Sequence, residues 1–123
     1  MHESQTVAVL GASPKPDRYS NRAIRMLTEN GHRVIPVHPK IDTIENIQVV
    51  HDLRSIEESV DTLTLYVGPE RLQPMIPEIL ELKPGRVIFN PGTESPELQQ
   101  QLREAGIPFL EACTLVMLQT SQF

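Results

Sequence analysis

The segment Gly11-Ala12-Ser13-Pro14-Lys15-Pro16-Asp17-Arg18-Tyr19-Ser20 concentrates residue types that suit an anion: small side chains, then two cations and a hydroxyl. It follows the apolar run Val7-Ala8-Val9-Leu10, which reads as a buried parallel strand. Gly and small residues at the end of such a strand let backbone approach a phosphate. The helix that follows from Ser20 offers N–H groups without intrahelical partners at its positive dipole end. The chemistry implied is binding of a nucleotide-like polyanion.

What is missing narrows the ligand. A dinucleotide fingerprint needs G-x-G-x-x-G and, about 20 residues on, an acid that holds a ribose diol. Here Gly11 is followed by Ala12, Ser13 and Pro14, and the second strand, Arg33-Val34-Ile35-Pro36-Val37, ends at His38-Pro39-Lys40 without a carboxylate. A basic, proline-bounded end suits a ligand with phosphate near its ribose, as in coenzyme A and NADP. NAD fits poorly.

Taken together, V-A-V-L-G-A-S-P-K-P-D-R, R-V-I-P-V-H-P and V-D-T-L-T-L-Y-V resemble the small bacterial and archaeal CoA-binding proteins. That family is similar to the CoA-binding domain of the succinyl-CoA synthetase alpha subunit and of NDP-forming acyl-CoA synthetases. The resemblance covers nearly the whole chain. His38 stands where the family usually has Asn, and Phe89-Asn90-Pro91-Gly92-Thr93-Glu94 stands where a Gln-x-Gly pattern is more usual. The resemblance implies that Gly11, Ala12 and Ser13 line a pyrophosphate. Lys15, Arg18 and the Ser20 hydroxyl would then supply charge or hydrogen bonds, with Tyr19 in the same loop. His38, Pro39 and Lys40 on one side and Tyr66, Val67 and Gly68 on the other would border the adenosine. It also implies a non-catalytic module for coenzyme A or an acyl-CoA, acting as carrier, sensor or partner of a larger enzyme. By the same resemblance, the histidine through which related synthetases pass a phosphoryl group is expected to lie in another domain, outside the one read here.

No constellation in the sequence argues for catalysis. There is no Ser–His–Asp order, H-E-x-x-H, Walker loop or pair of cysteines, and His2, His32, His38 and His51 lack metal-ligand spacing. The single Cys113 reads as a small packed hydrophobe and excludes a disulfide framework, which fits a cytoplasmic setting. No apolar run approaches the roughly 18 residues that span a bilayer. The net charge of −5 argues against nucleic acid, but residues 1–40 carry +3 and residues 41–123 carry −8. Positive charge therefore gathers around the candidate phosphate loop, where it can steer a polyanion.

Strand and helix signals alternate along the 123 residues, as in a single α/β domain of Rossmann type, an open, mostly parallel sheet with helices on both faces. Strands are expected at Thr6–Leu10, Arg33–Val37, Ile47–Val50, Asp61–Val67, Arg86–Phe89 and Ile107–Leu110. A helix over Asn21–Asn30 takes Ser20 as N-cap and Gly31 as its stop. Ser55-Ile56-Glu57-Glu58 has capping-box spacing for a brief helix. Leu72, Met75, Ile76, Ile79 and Leu80 form a helical stripe that Pro74 and Pro77 break or kink, since an interior proline costs about 3 kcal/mol. Ser95-Pro96-Glu97 opens a further helix that Gly106 ends.

Ligands of such sheets lie at the carboxyl ends of the strands where strand order reverses. That rule gathers Gly11–Asn21, His38–Lys40, Val67–Arg71 and Asn90–Glu94 into one cleft. Two alternatives remain open: an NADP-dependent oxidoreductase, with Lys40 meeting the 2′-phosphate, and a ligand-free interaction protein on the same fold. In the latter, Leu115-Val116-Met117-Leu118 either drives self-association, as in a homodimer, or covers the domain's own core.

Overall fold

The computed structural model describes residues 3–123. Its main sheet has five parallel strands in the order β2-β1-β5-β6-β7. These are β1 (Thr6–Leu10), β2 (Arg33–Val37), β5 (Thr62–Leu65), β6 (Arg86–Phe89) and β7 (Phe109–Glu111). The chain moves outward from β1 to β2, then returns past β1 to β5, so strand order reverses between β1 and β5. That reversal opens a crevice above their carboxyl ends.

Alternation along β1 builds a core on each face of the sheet. Val7 and Val9 pack with Ile24 and Leu27 of α1 (Tyr19–Glu29) and Leu118 of α5 (Thr114–Gln119). Ala8 and Leu10 join Leu63, Leu65, Val87 and Phe89 on the opposite face. There they meet Leu72 of α2 (Pro69–Leu72), Ile76 and Ile79 of α3 (Ile76–Leu82), and Leu98 and Leu102 of α4 (Pro96–Ala105). Both faces are thus covered, as the near-continuous apolar strands require. The expected Rossmann-like α/β fold is the one adopted.

On the α1–α5 face, β5 presents Thr62 and Thr64, both fully buried. Burial of these hydroxyls is offset by hydrogen bonds. Thr64 Oγ1 lies 2.8 Å from Thr114 Oγ1 and accepts from Asn90 Nδ2 at 2.7 Å. Asn90 also donates to the Leu65 carbonyl at 2.8 Å and accepts the Thr114 N–H at 2.9 Å. One amide side chain at the end of β6 thereby fastens the start of α5 to β5.

The break expected at Pro74 and Pro77 is present: α2 gives way to a 3₁₀ turn over Gln73–Met75 before α3 begins. Ser95 caps α4, its Oγ accepting the Leu98 N–H at 3.2 Å, and Gly106 at φ +74° ends it. Other expectations are corrected. α1 starts at Tyr19 with Arg18 as N-cap, so Ser20 lies inside the first turn rather than capping it. Ser55–Glu58 forms no helix. Asp52 instead caps a 3₁₀ turn over Leu53–Ser55, and Glu58 is bound by Arg33 across to β2. The Ile47–Val50 strand is two features. β4 (Ile47–Gln48) forms a hairpin with β3 (Thr43–Ile44), turning through Glu45 and Asn46 at positive φ, and Val50 bridges to Val37. Finally, Leu115, Met117 and Leu118 are buried in α5 and only Val116 is exposed, so most of this apolar segment covers the chain's own core.

Candidate functional site

A cleft of about 650 Å³ lies at the carboxyl ends of the strands, across the point where strand order reverses. Its walls include Gly11, Ala12, Ser13, Lys15, Arg18, Tyr19, Ser20, His38, Pro39, Tyr66, Val67 and Gly68. These are all but one of the residues singled out from the sequence. Lys40 is exposed and stands outside the lining.

The β1–α1 loop is held from within. Gly11 has φ +88°, and a Cβ there would stand 2.8 Å from Val67 Cγ1 and 3.0 Å from the Tyr66 carbonyl group. Glycine is therefore required both by conformation and by the close approach of the β5 end. Ala12 is buried, and its N–H donates to the Val37 carbonyl at 3.2 Å, so this amide ties the loop to β2 rather than facing the cleft. Ser13 Oγ accepts the Lys15 N–H at 3.1 Å.

Asn21 locks loop to helix. It is fully buried, donates to the Ser13 carbonyl at 3.0 Å and to Glu45 at 3.2 Å, and accepts from Arg25 Nε at 2.9 Å. Arg25 in turn donates to the Pro16 carbonyl at 2.7 Å. Sequence reasoning overlooked this role for Asn21 and Arg25. Their i, i+4 spacing on α1 was the available signal.

The amino end of α1 then stands open. Its first intrahelical bond runs from the Arg22 N–H to the Arg18 carbonyl at 3.0 Å, and Arg18 contributes no side-chain cap. No acid occupies the first turn. The N–H groups of Tyr19, Ser20 and Asn21 precede that first bond, next to Lys15 and Arg18. Arg22 stacks 5.6 Å from the Tyr19 ring centre.

On the β2 side, His38 Nδ1 accepts the N–H groups of Lys40 at 3.0 Å and Ile41 at 3.2 Å. The imidazole thus does what an Asn or Asp side-chain oxygen does in a turn. The His38 N–H donates to the Val50 carbonyl at 3.1 Å. This bond brings His51, Asp52 and Leu53 to the rim, three lining residues absent from the sequence-based set. Arg71, Met75 and Glu78 line the opposite wall. Arg54 joins these walls, with Nη1 3.2 Å from Glu78 Oε1 and Nε 2.8 Å from Glu81 Oε2.

The Tyr66 hydroxyl is buried beside Thr64 and Thr114, and burial pushes its phenol up to about 12. Of the Asn90–Glu94 loop, only Pro91, Gly92 and Thr93 reach the cleft, because the Asn90 side chain is engaged beneath it. Glu94 accepts the Gly92 N–H at 3.0 Å. Among the described residues, no cluster of His, Cys, Asp and Glu could hold a metal ion, and no helix is long and apolar enough to cross a membrane.

A doubly wound sheet with a crevice at its switch point defines the class of Rossmann-like α/β proteins. Within it, residues 5–119 match the family described as the CoA binding domain, and the chain belongs to that family. It is 29% identical over 106 residues to the uncharacterized protein YneT of Bacillus subtilis, spanning 86% of this chain and 78% of that protein. The crystal structure of an uncharacterized protein aligns with a TM-score of 0.93 at 41% identity, covering 99% of this chain and 100% of the other. The fold recurs in the dinucleotide-forming acetyl-coenzyme A synthetase 1 of Ca. Korarchaeum cryptofilum, solved with phosphate and ADP. That alignment has a TM-score of 0.75 at 18% identity and covers 88% of this chain but 25% of the synthetase.

Proposed function

We propose that the cleft binds coenzyme A or an acyl-CoA as a non-catalytic module, with the pyrophosphate against the β1–α1 loop and the first turn of α1. The observation that carries this reading is the open amino end of α1. Its early N–H groups lack a side-chain cap, no acid lies in the first turn, and Lys15 and Arg18 stand beside it. A multiply charged anion satisfies those donors and the local dipole together. Membership of the CoA binding domain family supports CoA over other nucleotides of the same charge.

Support for binding without chemistry comes from the polar groups of the cleft. His38 Nδ1 and one oxygen of Asp52 already hold turns, and the Tyr66 phenol is neutral over the ordinary pH range. The contact set inferred for the ligand is Gly11, Ser13, Lys15, Arg18, Tyr19 and Ser20, with His38, Pro39, Tyr66, Val67 and Gly68 bordering the adenosine. Ala12 contributes by packing, and Lys40 by charge from outside the walls. A cytoplasmic setting and action beside a larger acyl-CoA enzyme fit this role. The recurrence of the fold within a quarter of an acetyl-CoA synthetase is consistent with it.

Isothermal titration of ligand-stripped protein with CoA, dephospho-CoA, NAD and NADP tests the reading. Binding of CoA, weaker binding of dephospho-CoA and no heat with the dinucleotides are expected. NADP binding with no response to CoA would replace the module with a redox protein. No heat from any of the four, with an unchanged melting temperature, would favour the ligand-free interaction protein.

A further inference from the structure

The cleft crosses the edge of the sheet from the α1 face to the α3 face, and its two ends differ in charge. Lys15 and Arg18 stand at the α1 end, whereas Asp52 and Glu78, with Arg71 on the same wall as Glu78, line the far end, where the Leu53–Ser55 turn meets α3. Between them the wall is apolar, with Val37, Ile41, Leu53, Val67 and Met75. The Val37–Val50 bridge sets Asp52 just beyond the carboxyl end of β2.

The two acids are not equivalent. Glu78 accepts from Arg54 at 3.2 Å, so its charge is paired. Asp52 makes no direct ion pair among the described residues, although its charge reaches the Arg54 guanidinium, which is held mainly by Glu81. Its Oδ1 accepts the Ser55 N–H at 2.9 Å and the Ser55 hydroxyl at 2.8 Å, which fixes the carboxylate in one orientation, and no bond is made to Oδ2. A held carboxylate with one oxygen unbonded, at the end of an apolar slot, suits a flat heterocycle carrying an amino group. It disfavours one that turns a carbonyl oxygen toward the carboxylate.

Resting on the CoA reading above, we infer that Asp52 is a specificity-determining residue that selects a 6-aminopurine over a 6-oxopurine in this cleft. The exocyclic amino group of adenine donates to Asp52 Oδ2, and the corresponding oxygen of hypoxanthine meets the same carboxylate as a second acceptor.

The test compares CoA with its deaminated analogue, which has hypoxanthine in place of adenine and every phosphate retained, by calorimetry on the full chain. The analogue should bind at least about tenfold more weakly, the scale expected when a charge-assisted hydrogen bond becomes an acceptor–acceptor contact. In Asp52→Asn the side-chain oxygen still caps the turn, while the amide nitrogen presents donors to the base. The preference for CoA should collapse or reverse, with the melting temperature little changed. Equal binding of CoA and its analogue by the parent overturns the base-reading role and leaves the CoA reading intact. Equal weakening of both ligands in Asp52→Asn also overturns it, because Asp52 would then serve the sugar or only the turn. Failure of the parent to bind CoA removes both readings.

Discussion

Replacing Asn21 by Ala should loosen the β1–α1 loop without touching the ligand directly. The change removes two donations, to the Ser13 carbonyl and to Glu45, and one acceptance from Arg25, all at a fully buried position. Each of the three bonds contributes about 1 kcal/mol net, because the charged partners, Glu45 and Arg25, are themselves exposed to solvent. The better helix propensity of Ala returns roughly 0.6 kcal/mol, so the net loss should be about 2–3 kcal/mol. With a slope of about 1–3 kcal/mol per molar urea, the midpoint followed by far-UV circular dichroism should fall by roughly 1–2 M. Because Arg25 also holds the Pro16 carbonyl, Asn21→Ala and Arg25→Ala should be coupled in a double-mutant cycle by more than about 0.5 kcal/mol. A loss below about 0.5 kcal/mol for Asn21→Ala, additive with Arg25→Ala, would refute the argument that these two side chains fix the loop.

Further outcomes can be measured on the same protein. Gly11→Ala should destabilise by about 2–4 kcal/mol, from left-handed backbone plus the clash with Val67 and Tyr66, and a midpoint within error of the parent would contradict the packing at that turn. Lys15→Ala with Arg18→Ala should weaken CoA binding and flatten its dependence on ionic strength, while leaving thermal melting almost unchanged. Unaltered affinity at low salt would remove both cations from the ligand's surroundings. The phenol of Tyr66 is raised in the folded state to about 12 against about 10 when unfolded. The folded protein therefore holds that proton more tightly, and the associated stability is complete below pH 10 and is lost as pH climbs toward 12. Tyr66→Phe should abolish that alkaline loss while costing about 1 kcal/mol or less at pH 7, since the neighbouring Thr64 and Thr114 hydroxyls already bond each other; persistence of the same alkaline transition would place its origin elsewhere.

The architecture was legible because the parallel strands are short runs rich in apolar residues and threonine, and each crossover carries its own punctuation. Gly31, Pro74, Pro77, Ser95 and Gly106 all act as their residue types suggest. Legibility fell where local signals competed with tertiary bonds. Glu58 sits three residues after Ser55 in capping-box spacing, yet its partner is Arg33 on β2, far away in sequence. Ser20 looked like a cap, but the turn ends two residues earlier because Asn21 and Arg25 draw the preceding backbone into place. The rim residues His51 and Asp52 had no motif to mark them. They reach the cleft through the single Val37–Val50 bridge, a contact that no periodicity encodes.

The internal bonding of the β1–α1 loop bears on the kinetics of ligand capture. Ordering a residue's backbone costs about 1–2 kcal/mol. Here that ordering is completed during folding, through Ala12 to Val37, Asn21 to Ser13 and Arg25 to Pro16. A polyanion arriving at the cleft thus meets a rigid receptor and has no loop to reorganise. Association should proceed in a single exponential phase whose rate climbs as salt is lowered. Discrimination between one thioester and another would then be expressed in how long each stays, rather than in how fast it enters.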